Sequence, residues 1–162
     1  MATPHHREAP ARVRCFVLTI SDTRTPATDT SGDAIAALLT DGGHELAGRA
    51  LVRDEPDQVR EVLAGVDADV LITTGGTGIS SRDSTYEAIA SLLEKRLDGF
   101  GELFRMLSYE QIGAAAMLSR AIAGTKGRMA VFALPGSEAA VRLAIEKLIL
   151  PEIGHIVREL RR

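Results

Sequence analysis

The chain has 162 residues, of which 45% are hydrophobic and 25% charged, enough to build the core of one soluble domain. Its net charge of −3 argues against a general nucleic-acid or polyanion surface, and no apolar stretch reaches the ~18 residues of a membrane span. The single cysteine, Cys15, excludes an internal disulfide and any multi-cysteine metal site, and reads as a buried small hydrophobe.

Residues 1–12 carry two prolines, several charges and no apolar segment, so the expectation there is a disordered tail and no signal peptide. Val13 to Ile20 is a short apolar run, the pattern of a buried strand. After "SDTRTPATDTSG", Thr30 or Ser31 can cap a helix carrying Ile35, Leu38 and Leu39, which "DGG" at Asp41 to Gly43 stops. His44 to Val52 reads as a second strand with weak alternation. Val59, Val62, Leu63 and Val66 then make the inward stripe of an amphipathic helix.

"DVLITT" is the third strand and runs into "GGTGISSRDST". Tyr86 to Leu93 reads as helix, and Leu97 to Leu107 as a loop giving way to a short helix. Ser119 to Gly124 and Met129 to Leu134 read as two strands of a hairpin joined by "GTKG". Ser137 can cap a helix with Val141, Ala144, Ile145 and Leu148 on one face. Pro151 should break or kink that helix before a last stripe of Ile153, Ile156, Val157 and Leu160. The alternation predicts an α/β fold: a three-layer α/β/α sandwich with a mostly parallel mixed sheet and a late antiparallel hairpin.

The glycine loop is the densest signal. Glycine lets backbone amides approach a ligand closely, and amides with hydroxyls suit phosphate oxygens. A P-loop would need Gly-Lys-Ser/Thr, and no lysine occurs between Gly75 and Lys95. A dinucleotide fingerprint would need a third glycine where Ser81 stands, in the first rather than the third strand–helix unit. A bare strand-to-helix turn stays open. Ligands of open α/β sheets bind at the carboxyl ends of strands, where Ser21 to Ser31, Thr73 to Thr85 and Pro135 to Ser137 should converge. Asp83 lies within the hydroxyl-rich loop. Asp54, closing the second strand, either joins it at that edge or merely favours the following helix terminus. Carboxylates beside phosphates suit Mg²⁺. The four histidines form no metal constellation.

The motifs "LTISDTR", "DTSG", "LITTGGTGISSRDST", "GFGELFRMLSYEQIG", "AAMLSRAIAG" and "VFALPGS" occur in fixed order over nearly the whole chain. On them the chain closely resembles the MoaB/MogA family of molybdenum cofactor biosynthesis, the MoaB branch above all. The resemblance implies that residues 13–162 form one molybdopterin-binding domain. It implies Mg²⁺-dependent transfer of AMP from ATP to molybdopterin with release of pyrophosphate. A binding or carrier protein without turnover is the alternative. Matched position by position, Gly75, Gly76, Thr77 and Gly78 are the molybdopterin loop. Asp54 and Asp83 are the functional acids and candidate Mg²⁺ ligands. Ser21, Asp22, Asp29 and Ser31 correspond to the first ligand loop, Pro135, Gly136 and Ser137 to the last, and Glu102 to a segment near the pterin. A cytoplasmic homotrimer, or a homohexamer of two trimers, is the implied setting.

Overall fold

Val70–Thr74 reads VLITT, and all five residues are buried. A strand apolar on both faces needs cover on both, which places it inside a sheet. The computed structural model, which describes residues 10 and 12–162, sets this strand, β3, between β1 (Arg14–Ile20) and β6 (Met129–Leu134), parallel to each. Beyond β1 lies β2 (Glu45–Val52), and beyond β6 lie β5 (Ile122–Lys126) and the two-residue β4 (Lys95–Arg96). The six strands run in the order β2-β1-β3-β6-β5-β4, with β5 antiparallel to both its neighbours.

Both faces are covered. Cys15, Val17, Val70, Ile72 and Phe132 pack beneath α1 (Thr30–Asp41), α4 (Asp98–Ile112), α5 (Glu138–Ala144) and α6 (Leu150–Leu160). Leu18, Ile20, Leu71, Val131 and Ala133 face the other way, against α2 (Pro56–Gly65) and α3 (Thr85–Leu92). The result is the three-layer sandwich with a mostly parallel sheet and a late hairpin. Burial pushes the Cys15 thiol up to about 12, with Asp69 adding to the effect, as fits an inert core residue.

The structure corrects several local expectations. Asp29, not Thr30 or Ser31, caps α1, its carboxylate accepting the Gly32 N–H at 3.0 Å. The weak alternation of β2 comes from an irregularity: Cys15 pairs with Leu46 but Phe16 with Gly48, leaving Ala47 as an extra residue that shifts the phase. Residues 98–112 form a fifteen-residue helix rather than a loop with a short helix. The first hairpin strand runs to Lys126 rather than Gly124, so the turn is Gly127–Arg128, two residues later than read, because Lys126 still pairs with Met129. Pro151 does not end its helix. A π-helical turn at Ile145–Ile149, directly before Pro151, leads α5 into α6, so the helix is locally irregular at the proline and continues past it. Of the tail expected over residues 1–12, only Pro10 and Arg12 are among the described residues; the expectation otherwise lies outside them.

Candidate functional site

The neighbours of β1 are β2 on one side and β3 on the other, so the winding direction reverses at β1. Such a switch point opens a crevice at the carboxyl ends of the strands. The segment after β1 (21–29) and the one after β3 (75–84) flank it. Their approach is close enough to dictate glycine. A Cβ on Gly75 would lie 2.0 Å from the Ile20 carbonyl oxygen, and one on Gly76 would lie 2.1 Å from the Thr85 hydroxyl. Both also have positive φ, +96° and +71°.

A cleft of about 410 Å³ lies along this loop. One wall is Gly75, Gly76, Thr77, Gly78 and Asp83. Pro135, Gly136, Ser137 and Ala140 form a second, and Phe104, Ser108, Ile112, Ala115, Leu118 and Ser119 a third. Among the described residues, no hydrogen bond engages the backbone N–H of Gly76, Thr77, Gly78 or Ile79. Gly76, Thr77 and Gly78 line the cleft and Ile79 follows them, so successive amides with no partner stand ready to donate to an anion.

The loop is anchored at both ends. Gly75 N–H donates to the Leu134 carbonyl at 3.0 Å, Thr74 Oγ1 to the Pro135 carbonyl at 2.9 Å, and Thr85 N–H to the Gly76 carbonyl at 3.1 Å. Asp83 Oδ2 accepts the Ser80 N–H at 3.1 Å and the Ser80 hydroxyl at 2.6 Å. Asp54 is buried behind the loop, and its Oδ1 accepts from Ser84 N–H, Ser84 Oγ and Thr85 Oγ1 at 3.3, 2.9 and 3.2 Å. Its Oδ2 lies 3.0 Å from where a Cβ on Gly76 would sit, just beyond the Oγ1 and Cβ of Thr85.

The expected first ligand loop is adjacent to the cleft but does not line it. Ser21 Oγ accepts the N–H of Thr23 and Arg24, which turns the chain. Asp22 is gripped by Arg82 at 3.0 and 3.1 Å, and this pairing, with the Asp54 N–H, holds its carboxyl below the usual carboxylate range. Arg82 also reaches Glu55 at 2.7 Å, tying three segments together. Asp29 is buried against Thr19 and reached from outside by Arg49, and Ser31 donates to the Gly136 carbonyl at 2.7 Å. These residues shape the site by holding its loops.

Of the remaining expected residues, Ser137 lines the cleft and caps α5 by accepting the Ala140 N–H at 3.2 Å. Glu102 is exposed on α4, about 200° around the helix from Phe104, and does not line the cleft. Sequence reasoning missed the α4 wall. The signal was the i, i+4, i+8 spacing of Phe104, Ser108 and Ile112, which applies only once the segment is read as a long helix.

For a metal, no group of three or more His, Cys, Asp or Glu side chains is arranged to hold an ion among the described residues. Mg²⁺ needs only one or two carboxylates and keeps several waters. Asp54 Oδ2 and Asp83 Oδ1 each receive no hydrogen bond among the described residues, so each acid keeps one oxygen open. Each open carboxylate oxygen is the kind of donor Mg²⁺ takes, Asp83 from the cleft wall and Asp54 from behind the loop.

Comparison with known proteins agrees with this architecture. The profile described as "Probable molybdopterin binding domain" matches residues 16–155. The molybdenum cofactor biosynthesis protein B of Bacillus cereus is 55% identical over 165 aligned positions, covering 99% of this chain and 98% of that one. A crystal structure of a molybdenum cofactor biosynthesis protein B is 56% identical with a TM-score of 0.90, over 96% of this chain and 99% of that one. The tungsten cofactor synthesizing protein MoaB from Pyrococcus furiosus is 39% identical with a TM-score of 0.85, over 95% of this chain and all of that one (100%).

Proposed function

From the premise that the chain belongs to the MoaB/MogA family of molybdenum cofactor biosynthesis, we propose that it transfers AMP from ATP to molybdopterin with Mg²⁺, releasing pyrophosphate. The observation that carries this reading is the row of free amides that starts at Gly76, Thr77 and Gly78, in the wall of a cleft that Asp83 also lines.

In this reading the molybdopterin phosphate rests on the loop amides, while Phe104, Ile112 and Leu118 supply apolar wall for the ring system. One phosphate oxygen attacks the α-phosphorus of ATP; a new P–O bond forms, the α–β bridge breaks, and pyrophosphate leaves. Asp54 and Asp83 would hold Mg²⁺, and the ion when bound would supply charge neutralisation at the phosphates. The work of the chain is positioning. The loop amides hold one reactant, and the Arg82 ties to Asp22 and Glu55 keep the neighbouring segments in register.

A second reading, a molybdopterin carrier without turnover, draws on the hydrogen bonds of Asp54 to Ser84 and Thr85, which give one of the two acids a purely structural task. Pyrophosphate release from ATP that depends on added molybdopterin separates the two.

We also propose that the protein works as a homotrimer or a dimer of trimers. Leu103, Met106, Tyr109, Ile112, Met117 and Leu118 are exposed along α4 and the 3-10 turn after it (Gly113–Leu118), a run of large apolar side chains that contact between copies would cover. No helix among the described residues is long and apolar enough to cross a membrane.

A further inference from the structure

Arg120 does not line the cleft, yet its guanidinium is bound to the glycine loop. Nε donates to the Thr77 carbonyl at 3.1 Å and Nη2 to the Gly78 carbonyl at 2.5 Å, with a longer contact to the Asp83 carbonyl at 3.5 Å. Nη1 pairs with Glu87 at 2.5 Å, and the guanidinium carbon lies 4.6 Å from the centre of the Tyr86 ring. Both partners belong to α3, the helix that follows the loop. The pairing holds the Glu87 carboxyl below its usual range. A planar cation fixed on two sides by α3 thus presents a rigid fork to two consecutive carbonyls.

The geometry of the peptide unit gives this fork a consequence. Each unit is planar and trans, so its C=O and N–H point in opposite directions. Drawing the carbonyls of Thr77 and Gly78 toward Arg120 turns the N–H groups of Gly78 and Ile79 away from it. Those are two of the four amides without a partner among the described residues. Arg120 lines a neighbouring cavity of about 330 Å³, whereas Gly78 lines the cleft, so the loop runs between the cation and the cleft. The cation also polarises both peptide units and strengthens their N–H groups as donors.

We propose that Arg120 is a positioning residue of the anion site, fixing the peptide orientation that keeps the Gly78 and Ile79 amides available to a ligand phosphate. The proposal rests on reading the glycine loop as the phosphate site of molybdopterin. Lysine could supply the charge but not the rigid planar fork that meets both carbonyls while held by Glu87 and Tyr86.

The test measures equilibrium binding of molybdopterin and thermal stability for the unmutated protein, Arg120→Lys and Arg120→Ala, each with and without millimolar guanidinium, far below denaturing concentration. Expected is a loss of affinity of about tenfold or more in both variants, since two charge-assisted hydrogen bonds are lost. Guanidinium should restore binding to Arg120→Ala, and leave the unmutated protein unchanged. Should Arg120→Ala fail to fold, Arg120→Lys carries the affinity comparison. Unchanged affinity in the variants, or a loss in Arg120→Ala that guanidinium does not rescue, overturns the role of Arg120 while the phosphate reading stands. Absence of binding by the unmutated protein instead overturns the phosphate reading, and this role with it.

Discussion

Asp54 Oδ1 accepts both the N–H and the hydroxyl of Ser84, at 3.3 and 2.9 Å, so the acid that closes β2 also fixes the point where the glycine loop enters α3. The same oxygen accepts from Thr85, whose hydroxyl fills the space a side chain on Gly76 would need. An acid selected by its place at the sheet edge is therefore first a part of the loop's frame.

Replacing Asp54 should thus separate two effects. Asp54→Asn keeps an acceptor oxygen for Ser84 and Thr85 and should fold normally and bind molybdopterin, while losing about 10²–10³ in rate if the carboxylate holds Mg²⁺. Asp54→Ala leaves buried donors unpaired and should lower stability by about 1–3 kcal/mol. Urea unfolding beside a binding isotherm distinguishes them.

Gly76→Ala should destabilise the protein even without ligand. Its Cβ would lie 2.1 Å from Thr85 Oγ1 and 2.6 Å from Thr85 Cβ, and the left-handed backbone adds about 1–2 kcal/mol. A variant that loses molybdopterin binding with an unchanged melting temperature would show that a side chain there blocks the ligand and leaves the frame intact.

Acid sensitivity should trace in part to Asp29. Burial opposes its ionisation, but the hydrogen bonds from Thr19, Arg49 and the Gly32 amide overcome that and hold its carboxyl below the ordinary value. Its unfolded form therefore binds more protons, so the contribution is complete above about pH 4 and is lost as pH falls through the folded value. Asp29→Asn should be less stable than the unmutated protein at pH 7, with the gap narrowing at pH 3. A constant gap across that window would contradict the assignment.

The exposed row on α4 predicts self-association. Light scattering should give a mass several times the 17.3 kDa of one chain, and Met106→Glu should reduce it. Because Ile112 and Leu118 belong both to that row and to the cleft wall, a disrupted assembly should also bind molybdopterin less tightly. A monomer at working concentration would count against the proposal.

Much of this architecture was legible in the residues, for identifiable reasons. Runs such as VLITT need cover on both faces, which forced a layered fold, and Ser137 was readable as a cap because it stands between a strand and an amphipathic stripe. The cap of α1 was missed by one residue because Asp29, Thr30 and Ser31 all carry suitable oxygens, and only packing against Thr19 and Arg49 singles out Asp29. The length of α4 was hidden because Gly99 and Gly101 make its start look like a loop, while its apolar residues divide between core (Phe100, Phe104) and surface (Leu103, Met106). In the site, the glycine loop, Asp83 and the Pro135–Ser137 segment were legible as motifs. The link from Arg120 to Thr77 spans 43 positions, and no local pattern announces it.

The central claim is adenylyl transfer, and Asp83 tests it most directly because it lines the cleft and keeps one oxygen open. The measurement is pyrophosphate release from ATP and Mg²⁺ with molybdopterin supplied, beside equilibrium binding of molybdopterin by the same proteins. The unmutated protein should release pyrophosphate only when molybdopterin is present. Asp83→Asn should bind molybdopterin nearly as well and react about 10²–10³ times more slowly. An unmutated protein that binds molybdopterin yet releases no pyrophosphate would contradict the account and leave a carrier.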